Sequence, residues 1–272
     1  MYASAGDITK LGKAILKSSL IPPAMTRRWL KPVDFTSDPM AGLSTPWGIR
    51  KIQVGSQPYR WTYAYQKAGT IGRYSSTLIL LPEYDIGFTI LMGGNIPGNY
   101  NFNSADMIGE ALLPAFEQAA HDEATALFAG TYATGPGERV NSTMTIVAND
   151  GNPGLGVTSW VSNGTDMAYV AVTIATSAAG AVAPSVRLYP TLLEATLPDG
   201  GRQMSFRAVF GDRNSTTRTG KMFSTDCATW LTATNIMYGG LPLDTVVFNL
   251  DAAGKVTSVS PVALRTTLLK TS

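Results

Sequence analysis

Hydrophobic and polar positions change period several times along the chain. Over residues 4–19, Ile8, Leu11 and Ile15 recur at helical spacing while Lys10, Lys13 and Lys17 fall off that face, which predicts an amphipathic helix. Ser4, with Asp7 three positions on, forms the signature of a capping box. Pro22-Pro23 ends that helix and starts a short second one through Trp29, and Pro32 stops it. Residues 33–46, with Pro39 and Pro46, read as a loop. From Trp47 the period falls to two, and strands are predicted near 47–54, 60–68, 74–81 and 87–92. Short connections between them, including a turn at Glu83-Tyr84-Asp85, imply an antiparallel meander. Thr77-Leu78-Ile79-Leu80-Leu81 hardly alternates, so both faces of that strand are expected to be buried. After a Gly/Asn loop, Ser104 is placed to cap a helix over 105–121. Its apolar positions are Ile108, Leu112, Ala115 and Ala119, and Pro114 should kink or divide it.

From Phe128 the pattern becomes short β-like runs, at 128–133, 143–147, 154–161, 168–174, 185–190, 203–210, 245–249 and 256–259. Gly-Pro-Gly, Asn-Gly and Pro-Asp-Gly turns separate them, as in a β-sandwich or barrel. Trp160, Tyr169 and Tyr189 fall within these runs and read as core. Two domains are expected: 1–124, helices with an antiparallel meander, and 125–272, all-β.

Composition narrows the function classes. The 272 residues are 44% hydrophobic and 15% charged, a profile that builds a core and is not that of a disordered chain. A net charge of +2, with no run of lysines, offers no track for nucleic acid. No stretch reaches the 18 apolar residues of a membrane-spanning helix. His121 is the only histidine and Cys227 the only cysteine, so no zinc-type site is expected, and no other metal or cofactor. His121 is placed at a helix C-terminus, where a partly charged imidazole is mildly stabilising. A Ser-His-Asp triad lacks its G-x-S-x-G elbow, and neither G-x-G-x-x-G nor G-x-x-x-x-G-K-[ST] occurs. Asn141, Asn163 and Asn214 head N-x-S/T sequons, which fit a secreted ancestry. Residues 1–20 hold charges within their apolar pattern and form no signal peptide. The chain is therefore expected to be secreted if it is part of a longer parent, and cytoplasmic if it is complete as given.

One chemistry needs no histidine: serine acylases that activate serine with lysine. Lys67-Ala68-Gly69, then Gly72, Tyr74-Ser75-Ser76 and Leu81-Pro82-Glu83-Tyr84-Asp85-Ile86-Gly87-Phe88, resembles the K-T-G strand and following hairpin of class C-type β-lactamase-like and penicillin-binding serine hydrolases. Met1-Tyr2-Ala3-Ser4-Ala5-Gly6-Asp7-Ile8 resembles a helix start of that family. Thr26 to Pro32, Trp47 to Arg50, Phe128 to Tyr132 and Cys227 to Trp230 resemble a fungal branch and its appended β-domain. The resemblance implies an α+β fold, with a partial β-lactamase/transpeptidase-like sheet followed by an all-β domain. It implies that Lys67, Gly69 and Thr70 are residual catalytic positions and that Ala68, Arg73 and Tyr74 lie at the substrate.

The sequence departs from the family in three ways. No S-x-x-K and no Y-x-N or S-x-N occurs, and Ala68 stands where the family has threonine. The resemblance thus covers a back half without the nucleophile, and the chain alone is expected not to acylate a serine. A sheet missing strands and a covering helix would expose an edge and an apolar face. Either a small acyl substrate or a protein partner completing the sheet is expected there, the second by self-association or through another polypeptide. Two other readings stand beside this one: a repurposed enzyme of fungal secondary metabolism using Lys67 with Tyr65, Arg73 or Tyr74, and a non-catalytic binding module.

Overall fold

A computed structural model describes residues 2–55, 60–95, 100–137, 141–148, 150–177, 180–213 and 228–271. The chain separates into two compact units, Met1–Ala120 and His121–Ser272. The fold is mixed α+β, with four α-helices, an open six-stranded antiparallel sheet and a closed eight-stranded antiparallel barrel among the described residues.

The first unit opens with α1 (Ala5–Leu16), whose capping box forms as the sequence predicts. Ser4 accepts from the Asp7 N–H, and the Asp7 carboxylate accepts from the Ser4 N–H at 3.0 Å. The hydrogen bonds to Ser4 hold the Asp7 carboxyl below the usual aspartate range. Its packing face is Ile8, Gly12, Ile15 and Leu16, whereas the expected Leu11 is 47% exposed. Gly12 belongs to that face because a Cβ there would meet Leu78 and Leu80 methyls at 3.2 and 3.3 Å; the helix can approach the sheet only without a side chain. After α2 (Pro23–Trp29) come β1 (Asp34–Phe35) and β2 (Ala41–Leu43), two short strands within the stretch read as loop. Then follow β3 (Gly48–Val54), β4 (Arg60–Ile71), β5 (Tyr74–Leu81), a 3-10 turn (Pro82–Tyr84) and β6 (Ile86–Gly93). The sheet order is sequential from β1 to β6, the expected meander. Thr77 to Leu81 are all buried, since α1 packs over one face of β5 and the other face joins the core with Ala105 and Leu113.

The helix α3 (Tyr100–Phe128) is longer than its sequence suggests. It starts ahead of Ser104, which is not its cap, because buried Asn101 donates to the Thr77 hydroxyl at 2.5 Å and docks an extra turn on β5. Pro114 lies inside it without dividing it. The inward face runs through Asn101, Ala105, Leu113 and Glu117; Leu112, Ala115 and Ala119 are exposed. Apolar periodicity missed this face because two of its members are polar residues with partners. Arg60 secures it: its Nε donates to both Glu117 oxygens at 2.9 and 3.0 Å, while its terminal nitrogens donate to Glu83 and the Tyr84 hydroxyl at 2.6 Å. Burial, then the hydroxyl's bond to Glu117, pushes the Tyr84 phenol well above its ordinary range. His121 falls two turns before the helix end rather than at it.

The second unit holds β7 (Gly130–Ala133), β8 (Thr143–Val147), β9 (Leu155–Ser162), β10 (Thr165–Asp166), α4 (Met167–Thr176), β11 (Pro184–Thr196) and β12 (Arg202–Asp212). It continues with the hairpin β13 (Met237–Tyr238) and β14 (Leu241–Pro242), then β15 (Thr245–Leu250), β16 (Val256–Pro261) and β17 (Leu268–Lys270). The barrel runs β9-β11-β12-β15-β16-β17-β7-β8 and closes from β8 back to β9. Closure, not a sandwich, resolves the two architectures the turn spacing allowed. The run at 168–174 is helix α4, not a strand. Asp166 caps it by accepting from the Tyr169 N–H at 3.0 Å, and Ala171 and Val172 are fully buried against the barrel core. Tyr169 accordingly is a half-exposed helical residue, while Trp160 is core. Phe128, Phe206 and Phe248 meet edge to face with centroids 4.9–5.2 Å apart. Tyr132, fully buried, donates to the Phe128 carbonyl at 2.7 Å, and Lys270 donates to the neighbouring Leu127 carbonyl at 3.0 Å, ending α3.

Candidate functional site

The Lys67-Ala68-Gly69 stretch lies in β4, where the strand outruns its neighbour. Strand β3 pairs with β4 from Arg60 to Gln66, and β5 pairs with it from Tyr65 to Ile71. Residues 67–71 therefore have a strand on the β5 side only, among the described residues. Their backbone groups on the other side face outward, a free edge five residues long.

Alternation sorts the predicted site residues onto two faces. Lys67 and Gly69 share a face with Tyr65, Ile71 and Tyr74, while Ala68 and Thr70 point to the other. The strand turns back through Gly72-Arg73. Gly72 has φ of +58°, the first-position conformation of a two-residue hairpin, and Arg73 is exposed at the tip. Tyr74, 73% exposed, lays its ring over Gly93 of β6, where a Cβ would sit 3.0 Å from it. Lys67 is exposed; its Nζ donates to the Ala68 carbonyl at 3.3 Å and joins no ion pair among the described residues. Opposite Gly69 lies Ser76, whose hydroxyl is 3.5 Å from the Gly69 carbonyl. A Cβ on Gly69 would meet that hydroxyl at 3.6 Å, an ordinary contact, so packing alone does not demand glycine there.

Lys67, Gly69, Ser76 and Tyr74 thus line one open face beside a free strand edge. Such a surface can hold an extended acyl chain by backbone hydrogen bonds and attract its carboxylate with the ammonium. Ser76 was missed as a site residue, although the two-residue turn at Gly72-Arg73 fixes its register opposite Gly69.

Two hollows lie elsewhere among the described residues. On the other face of the sheet, a groove of about 460 Å³ runs between α3 and β3 to β5, with Val54, Ile79 and Leu113 in its floor and Arg50, Asp106 and Glu110 at its rim. In the second unit, a pocket of about 290 Å³ is bordered by Ser185, Arg187, Tyr189 and Arg213. Arg187 is already committed there, donating to the carbonyls of Asn152, Pro153 and Gly154 and pairing with Asp150. Tyr189 packs on Trp230 with centroids 4.5 Å apart. No cluster of metal-ligating side chains occurs among the described residues, and no helix is long and apolar enough to cross a membrane. The sequon residues Asn141 and Asn163 are both exposed and adjacent. The Asn141 carbonyl accepts from the Gly164 N–H at 3.1 Å, and Asn163-Gly164 forms the β9–β10 turn. Asn214 and Cys227 lie outside the described residues.

Comparison with known proteins supplies the family. The family described as "Beta-lactamase-like-like, C-terminal domain" matches residues 120–272. The chain is 27% identical over 275 residues to "Probable hydrolase clz13" of Cochliobolus lunatus, covering 99% of this chain and 44% of that protein. It is 25% identical over 291 residues to "Beta-lactamase-like protein" of Arthroderma benhamiae, covering 99% and 48%. The chain thus spans a little under half the length of these curated relatives. Among solved structures, the octameric penicillin-binding protein homologue from Pyrococcus abyssi aligns with a TM-score of 0.31 at 14% identity, over 76% of this chain and 42% of that one. With more than half of its residues in the match, the chain belongs to the beta-lactamase-like C-terminal-domain family, alongside fungal proteins named as probable hydrolases.

Proposed function

We propose that the first unit carries the substrate-strand side of a β-lactamase-like serine hydrolase or acyltransferase site whose serine lies outside these 272 residues. Its six-stranded sheet is then a partial β-lactamase/transpeptidase-like sheet. The observation that carries this reading is the free edge of β4 at residues 67–71 with exposed Lys67 and bare Gly69 beside it. In the complete site a serine would attack an ester, amide or lactam carbonyl. Lys67 would draw the substrate carboxylate and support proton transfer, Gly69 would let the substrate lie close, and the Thr70 N–H would help hold the oxyanion. Ala68, half-buried opposite Thr77, brings no hydroxyl to the substrate.

Two measurements test this. Incubated alone with a fluorophosphonate probe or a chromogenic lactam, the chain is expected to form no acyl adduct; an adduct on any of its serines refutes the proposal. Titrated with a short acylated peptide ending in a carboxylate, it is expected to show NMR shifts at the Lys67–Ile71 amides that weaken in Lys67→Met. Absent shifts, or shifts indifferent to Lys67, refute it equally.

A further inference from the structure

The pocket on the outer wall of the barrel is built from one unit alone: Asn152, Pro153, Ser185, Arg187, Tyr189 and Arg213 all belong to the second. Ser185, Arg187 and Tyr189 alternate along β11 with Val186 and Leu188, which join the core, so the first three stand outside. Two glycines make room for them. A Cβ on Gly156 would lie 2.5 Å from the Arg187 Nη1, and one on Gly154 would lie 2.7 Å from the Tyr189 ring. Both side chains therefore lie across bare backbone at residues 154–156. Arg187 commits one N–H at Nε, one at Nη1 and two at Nη2, to Pro153, Asp150, Asn152 and Gly154, which is four of its five donors. The Tyr189 hydroxyl donates to the Pro153 carbonyl at 3.1 Å, and Trp230, which does not line the pocket, packs on the ring. Two walls are thus fixed in advance, as small-molecule sites usually are.

The remaining polar groups are donors without acceptors. Asp150 balances Arg187, but no acidic side chain lines the pocket, and the exposed Arg213 guanidinium joins no ion pair among the described residues. Its neighbour Asp212 is engaged elsewhere, accepting from the Ala183 N–H at 2.8 Å. The half-buried Ser185 hydroxyl has no hydrogen-bond partner among the described residues. We propose that this pocket binds a small organic acid, with its carboxylate between the Arg213 guanidinium and the Ser185 hydroxyl and its apolar body on the Tyr189 ring. A guanidinium presents a planar fork that matches a carboxylate, and a hydroxyl beside it adds a further donor. The ring supplies the apolar contact that a bare inorganic anion cannot use. The pocket's volume of about 290 Å³ is at the low end for ligand sites, which selects a compact acid. Nothing in this site touches Lys67 or β4, so it stands or falls separately from the catalytic reading.

NMR titration of the full chain with benzoate, at fixed ionic strength, tests it. Benzoate is expected to shift the amides of Asn152, Ser185 and Arg213 and to saturate with a Kd of about 1 mM or lower. Benzyl alcohol keeps the ring without the charge, and acetate and inorganic phosphate keep a charge without the ring; each should bind about tenfold more weakly or worse. Arg213→Gln should weaken benzoate about tenfold, and Ser185→Ala about threefold, with the thermal midpoint of either variant close to that of the parent chain. No saturable shifts with benzoate overturn the proposal. So do shifts confined to other surfaces, benzoate binding indifferent to Arg213→Gln, or acetate or phosphate binding as tightly as benzoate, which would mark a simple anion contact.

Discussion

Removing the Arg60 guanidinium should loosen α3 from the sheet. Arg60 on β4 binds Glu117 on α3, Glu83 and Tyr84 at the turn before β6, and its guanidinium carbon lies 5.1 Å from the centre of the Tyr84 ring. The Glu117 side chain is 12% exposed, so the charge-assisted contact to it sits at the upper part of the range for such bonds, about 2 kcal/mol. The Tyr84 bond adds about 1 kcal/mol, and the contact to Glu83, whose side chain is 42% exposed, adds little in water. Arg60→Ala should therefore destabilise the first unit by about 3 kcal/mol, and Arg60→Lys, which loses the fork but keeps a charge, by less. Hydrogen exchange on the full chain gives the assay: amides of β4 and of residues 105–117 should lose protection while the barrel strands keep theirs. In a double-mutant cycle, Arg60→Ala with Glu117→Gln should show a coupling of about 1–2 kcal/mol. A loss below about 1 kcal/mol, or purely additive variants, would show that α3 is held by apolar packing instead.

Other sites give independent tests. Tyr132→Phe should cost about 1 kcal/mol at neutral pH through the lost bond to the Phe128 carbonyl. Burial raises the Tyr132 phenol above its ordinary value, so its contribution is present below about pH 10 and lost as pH rises further; the variant should flatten the alkaline limb of a stability–pH curve. At Asp150, burial raises the carboxyl, but the Arg187 bond and charge outweigh it and the net shift is downward. Its contribution is therefore present above about pH 4 and lost as pH falls through the lowered value, and Asp150→Asn should reduce acid sensitivity, read by thermal unfolding between pH 2 and pH 6 or so. Gly12→Val forces a side chain against Leu78 and Leu80 and should cost about 1–3 kcal/mol in urea unfolding.

What the sequence made legible follows which forces act locally. Capping at Ser4 and Asp7 and the proline between α1 and α2 are decided by neighbours along the chain, and both form as read; β4, predicted to end near residue 68, instead runs to Ile71 and turns back through Gly72-Arg73. Long-range choices were hidden. In residues 168–174, alanine and β-branched residues satisfy both periods, and burial against the barrel core together with the Asp166 cap selects helix. Strand β17 has only three residues and carries no pattern of its own, yet it links β16 to β7 and so closes the barrel. The inward face of α3 depends on Asn101 and Glu117, whose burial makes sense only once Thr77 and Arg60 are known to meet them. The candidate site divides the same way. The lysine and glycine of β4 are visible as a motif, but their freedom is a sheet-level property. It arises because β3 begins at Gly48, opposite Gln66, one residue short of Lys67. If residues upstream of Gly48 extended β3, the same motif would be an interior strand with its edge closed. The function proposed for this strand therefore rests on where a neighbouring strand stops, and no reading of the motif alone contains that information.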